Sequence, residues 1–130
     1  MSLWQETDLR ETDGLAPCAF LTIWNVRNSY DNKKYLDMCL IQRSGDMITA
    51  SGAGSMNEVQ YAALLMMIAR HCGYEAGVFT HFVANEQIYL RHVEQAKEML
   101  VRYEKQTQYQ SPKLVLNPEK TNFFEMTIDD

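Results

Sequence analysis

The chain has 130 residues, of which 46% are hydrophobic and 22% charged, with a formal net charge of −5. That composition fits a globular unit able to bury a core, and it speaks against non-specific nucleic-acid binding, which rests on basic surface. The longest apolar run, Tyr61 to Ala69, is too short for a membrane helix of about 20 residues.

Cys18, Cys39 and Cys72 are odd in number and widely spaced. They predict no disulfide, no metal site and a cytoplasmic setting. The acidic stretch "ETDLRETD" reads as a solvated turn. "GLAPC" then reads as a turn into a fixed backbone position. The thiol held there is either a packing group or a nucleophile.

"AFLTIWNV" is predicted as a buried strand, "RNSYDNKK" as a polar turn and "KYLDMCLIQR" as a returning strand. Alternation puts Leu36, Met38, Leu40 and Gln42 on one face, and Tyr35, Asp37, Cys39 and Ile41 on the other. Paired as an antiparallel hairpin, the two strands bring Cys18–Phe20 close to Gln42–Ser44.

"GDMITASGAGSM" is predicted as a flexible connecting loop. Ser55 and Glu58 form a capping-box pattern ahead of a helix that ends near Cys72, with Gly73 as its stop. Apolar all round over 61–69, this helix is predicted to be central. "GVFTHFVA" reads as a third strand. Periodicity predicts a helix over Asn85–Arg102, and "PKLVLN" reads as a short strand. His71 and His92 are expected to cap helix ends or face solvent, and His81 to lie in a strand. Cys39 and Cys72 read as core cysteines. Strands interleaved with helices give an α+β architecture.

Five short stretches then carry a resemblance. "LAPC" before a strand, "QRSGD", Asn57-x-x-x-Tyr61 opening a helix, "QIYLRH" and "PKLVLNPE" stand in the order found in the thymidylate synthase family. The resemblance covers nearly the whole chain. It implies a mixed sheet packed against a central buried helix, within one domain over residues 1–130 that forms the C-terminal part of the family fold, truncated at both ends. It also implies that the stretch from Ala84 to Tyr89 continues the preceding strand, with the helix starting near Leu90 or His92.

The implied activity is methylation of deoxyuridylate to thymidylate, with 5,10-methylenetetrahydrofolate as co-substrate, in a homodimer. Cys18 matches the family nucleophile, which adds to C6 of the uracil ring and so activates C5. Arg43 matches an arginine near both the cysteine and the substrate phosphate, where a permanent charge favours thiolate and forks onto phosphate oxygens. Ser44 adds a hydroxyl donor to the phosphate. Asn57 matches the residue reading the base, with Asp46 beside it. Tyr89 matches the tyrosine bonding the deoxyribose 3′-hydroxyl, aided by Gln87.

Departures stand beside these matches. Ala19 and Gln87 replace family histidines, Asn85 replaces an acid, and the loop from Asp46 to Asn57 is longer than usual. The family's glutamate, folate-side tryptophan and closing tail have no match here, so the 130 residues alone are expected not to turn over substrate. A deoxynucleotide hydroxymethylase is one alternative, and a non-catalytic nucleotide-binding relative or assembly scaffold is another.

Overall fold

A computed structural model describes residues 1–11, 14–105 and 110–130. In chain order the elements are α1 (Glu6–Glu11), β1 (Ala19–Asn28), β2 (Lys34–Gln42), β3 (Gly45–Asp46), α2 (Met56–His71), β4 (Glu75–Val83), β5 (Glu86–Gln87) and α3 (Val93–Glu104). Short 3-10 turns occupy Gly52–Gly54, Leu90–His92 and Phe123–Glu125. The architecture is α+β with a mixed sheet.

The β1–β2 hairpin is antiparallel and closes at its far end through Asn28↔Lys34. Asn32 there takes φ 61°, a left-handed turn conformation that asparagine tolerates. β4 joins the other edge of β2 in parallel, giving the order β1-β2-β4. Parallel pairing needs a crossover, and α2 is that crossover. The register shifts between Leu36 and Met38. At this bulge the Asp37 carboxylate accepts the Val78 N–H at 2.8 Å. A Cβ on Gly77 would stand 2.1 Å from the same carboxylate, so the bulge needs glycine there.

The alternation in β2 is as the sequence predicts. Leu36, Met38 and Leu40 are buried, and Leu36 and Met38 pack with Leu65 and Ala69 of α2. Trp24, Tyr61, Ile68, Tyr74 and Phe79 surround this core. The helix is less central than its all-round apolar sequence suggests. Only its Leu65–Ala69 stripe is buried among the described residues, and its opposite side meets the segment 112–116.

Several local expectations are corrected. Ser55 does not cap α2: its φ is 53°, and its hydroxyl donates to the Gly52 carbonyl. A capping side chain needs an extended backbone at that position. Glu58 instead accepts the Gly52 N–H at 2.9 Å. "PKLVLN" pairs with no strand among the described residues, and its start, Pro112 to Leu114, lines a cavity together with Val59, Ala62, Ala63 and Met66 of α2. The periodic helix over Asn85–Arg102 gives way to β5, a 3-10 turn and then α3. Neither does the stretch after Val83 simply prolong β4. It bends, and Glu86–Gln87 pairs with Gly45–Asp46. Within "ETDLRETD", residues 6–11 form the exposed α1, while 12 and 13 lie outside the described residues. Cys72 is exposed at the end of α2, and Cys39 is half-buried.

Candidate active site

The topology gathers the candidate residues at one end of the sheet. β2 and β4 are parallel and finish there, β1 starts there, and α2, running back against them, begins there. A main-chain ladder continues past β2. Gln42 O accepts from Ala84 N, Asn85 O from Gly45 N and Gln87 O from Met47 N, each at 2.9 Å.

Cys18 stands immediately before β1, half-buried. Three successive carbonyls of its approach are held. The Ala16 oxygen accepts from the Arg43 guanidinium, the Pro17 oxygen from the Trp4 indole at 3.0 Å, and the Cys18 oxygen from the Arg43 N–H at 2.9 Å. Trp4 also packs on Phe20, with ring centroids 5.1 Å apart. The turn predicted from "GLAPC" is therefore clamped from two sides. Arg43 uses one of its several N–H donors on Ala16.

Asn57 sits in the first turn of α2, where its N–H donates to the Ala50 carbonyl at 2.7 Å. Gln42 lies beneath it, 1% exposed. The Gln42 amide donates to the Ser44 carbonyl at 2.7 Å and to Asn57 Oδ1 at 3.4 Å. His81 of β4 faces Gln42 Oε1 at 3.1 Å and Glu58 at 2.8 Å. The sequence puts Gln42 on the face of Leu36, Met38 and Leu40, Glu58 in a capping box and His81 in a strand, and points to none of them as a site residue. The available signal was a polar residue ending the apolar face Leu36-Met38-Leu40, since a buried amide demands partners.

Asp46 organises the loop that follows. Its main-chain carbonyl accepts the N–H groups of Thr49, Ala50 and Ser51. Its carboxylate accepts the Ile48 N–H at 3.1 Å and the Thr49 hydroxyl at 2.5 Å. The Thr49 hydroxyl bond is the main reason that this carboxyl lies below its ordinary range; the Ile48 N–H and nearby His92 act the same way, and partial desolvation opposes them. The loop is thus a hydrogen-bonded turn and not a slack connection, with much of its backbone engaged internally. Ser51 is fully buried and donates to Glu86 at 2.6 Å.

His92 is also corrected. Its side chain is mostly buried, with Nδ1 3.6 Å from Asp46 Oδ2, and it neither caps α3 nor faces solvent. Its ring meets Tyr89 edge-on. Tyr89 is 46% exposed and lies under the Arg91 guanidinium. Gln87 is exposed on β5, paired with Asp46. His71 holds the later chain, accepting the Phe123 N–H at 3.3 Å.

The candidates thus form three linked groups: Cys18 with Arg43; Gln42 with Ser44 and Asn57; and Asp46 with Gln87, His92 and Tyr89. Comparison with known proteins identifies the family of the chain. The thymidylate synthase family model matches residues 1–130. Thymidylate synthase of Lactococcus lactis subsp. cremoris is 46% identical over 131 aligned residues, covering all of this chain and 45% of that protein. The enzyme of Streptococcus pneumoniae is 47% identical, with 44% of its length covered. The solved thermostable thymidylate synthase A of Bacillus subtilis superposes with a TM-score of 0.80 at 33% identity, over 99% of this chain and 42% of that one. The chain spans less than half the length of these relatives, and it belongs to the thymidylate synthase family.

Proposed function

We propose that this chain supplies the nucleotide side of a deoxyuridylate-methylating site, with Cys18 as nucleophile and methylenetetrahydrofolate as the carbon and hydride donor. Cys18 adds to C6 of the uracil ring, C5 gains carbanion character and takes the one-carbon unit from the folate, and loss of the C5 proton then lets the thiol be eliminated from C6. Arg43 and Ser44 bind the phosphate, Asn57 reads the base with Asp46 beside it, and Tyr89 and Gln87 hold the sugar. The folate brings the one-carbon unit and the reducing hydride when bound. Residues 1–130 act as one domain in the cytoplasm. A homodimer would cover the outer sheet face, where Ile23, Val78 and Phe82 are each more than half exposed.

The observation that carries this reading is the double hold of Arg43 on the Cys18 approach. It sets a candidate nucleophile and a permanent cation on neighbouring chain segments, as a thiolate attacking an anionic nucleotide requires. The test is incubation of the protein that carries this chain with 5-fluorodeoxyuridylate and methylenetetrahydrofolate, followed by peptide mass mapping. An adduct on Cys18 is expected. An adduct on Cys39 or Cys72, or none, overturns the assignment.

A further inference from the structure

Behind Asn57 a line of hydrogen-bonded side chains, buried at Gln42 and partly buried at His81 and Glu58, runs through β2 and β4 and returns to α2. The orientation of the Gln42 amide is forced. The Ser44 carbonyl can only accept, so Nε2 must face it, and Oε1 then faces His81 Nε2 at 3.1 Å. An amide oxygen needs a donor, so His81 Nε2 carries a proton. On its other side, His81 Nδ1 lies 2.8 Å from Glu58 Oε1. Two lone pairs would repel at that distance, so a second proton lies between imidazole and carboxylate. Glu58 Oε1 also accepts the Gly52 N–H, while Glu58 Oε2 is buried with no partner among the described residues. At the other end of the line, the second Nε2 hydrogen of Gln42 points at Asn57 Oδ1.

We infer that Glu58 and His81 are positioning residues: the proton they share locks the Gln42 amide, and through it the Asn57 amide. With its oxygen turned to Gln42, Asn57 presents its Nδ2 hydrogens to a ligand. They suit the O4 acceptor of uracil and oppose the amino group of cytosine. This consequence for selectivity rests on the proposed reading of Asn57 as a base-binding residue.

The experiment uses the 130-residue chain labelled with 15N at Asn, Gln and His. In the unaltered chain, NMR is expected to show His81 protonated at Nε2 and the Gln42 and Asn57 side-chain amides protected from solvent exchange. His81→Leu should remove the protection. His81→Leu with Glu58→Leu leaves no unpaired carboxylate to disturb folding, and it too should lose the protection. Glu58→Gln should keep it, since the glutamine oxygen can take the place of Glu58 Oε1, accepting the Gly52 N–H and a proton on Nδ1, while Nε2–H still serves Gln42. The preference for deoxyuridylate over deoxycytidylate should fall about tenfold, or about 1.4 kcal/mol, in the double variant and hold in Glu58→Gln. Unchanged amide protection in both leucine variants, or a proton on Nδ1 alone, overturns the lock. Loosened amides with unchanged preference overturn its positioning role. If the amides loosen but the unaltered chain binds neither nucleotide, the base-reading function falls and the lock stands.

Discussion

Arg43 fixes Cys18 from both sides of the bond that precedes it: its N–H donates to the Cys18 carbonyl at 2.9 Å, and its guanidinium donates to the carbonyl of Ala16. One residue thereby anchors the turn that "LAPC" predicts, and under the proposed function its remaining N–H groups serve the substrate phosphate. A lysine keeps the charge but not the fork. Arg43→Lys is expected to weaken deoxyuridylate binding at least ~10-fold, the equivalent of about 1.4 kcal/mol. Loss of the Ala16 bond should lower stability by about 1 kcal/mol. Calorimetric titration and chemical denaturation read the two effects separately. Unchanged affinity would remove Arg43 from the phosphate site.

Asp46 gives the site an acid-sensitive element. The Thr49 hydroxyl, the Ile48 N–H and His92 hold its carboxyl below the ordinary range against partial desolvation. A carboxylate depressed in the folded state stabilises it above the unfolded value of about 3.9, and that contribution is lost as pH falls through the folded value. The turn over 46–51 is therefore expected to loosen only at pH below about 4. Carboxyl 13C titration should place the Asp46 midpoint below that of an unfolded peptide. In Asp46→Asn the turn should lose this pH dependence. A midpoint at or above the peptide value would show that the Thr49 bond does not form in solution.

Where burial alone decides, the sequence was readable. Leu36, Met38 and Leu40 alternate as a half-buried strand must, and Gly73, at φ 70°, stops α2. Hairpin pairing alone brings Cys18 near Arg43, whose N–H donates to the Cys18 carbonyl. What escaped depends on contacts distant in sequence. Glu58 has the spacing of a cap, but His81, 23 residues away, pairs with it. The pattern over Asn85–Arg102 is helical in period, yet the free edge of Gly45–Asp46 draws Glu86–Gln87 into a strand pair. His92 is expected to cap a helix end or face solvent, yet its side chain is mostly buried, with Nδ1 3.6 Å from the Asp46 carboxylate on β3. Periodicity reports which face is buried and says nothing of which polar partner waits there.

Asn57→Asp tests base reading directly. The acid keeps an oxygen acceptor toward Gln42 but replaces the Nδ2 donor with a second acceptor. Uracil O4 would then face an oxygen, while the cytosine amino group would find a partner. Preference should move toward deoxycytidylate by ~1–3 kcal/mol, the cost of leaving a buried polar group unpaired. Titration of both nucleotides against both forms measures the shift. Equal preferences before and after would exclude Asn57 from reading the base.

The structure gives a reason for glycine at position 45. A Cβ at this position would lie 2.1 Å from Ser51 Oγ and 2.4 Å from Glu86 Oε2. Those two side chains are themselves bonded, and Ser51 is fully buried. Gly45→Cys must therefore push Glu86 away and strand the Ser51 hydroxyl, at an expected cost of ~1–3 kcal/mol. If that is the mechanism, removing the hydroxyl should soften the clash. Gly45→Cys with Ser51→Ala should then cost less than the sum of the two single changes, because the second change deletes the group that the first one strands. Denaturant melts of the four proteins measure the coupling. Simple additivity would show that the methylene is accommodated by movement of the backbone, and that glycine here is not tied to the Ser51–Glu86 bond.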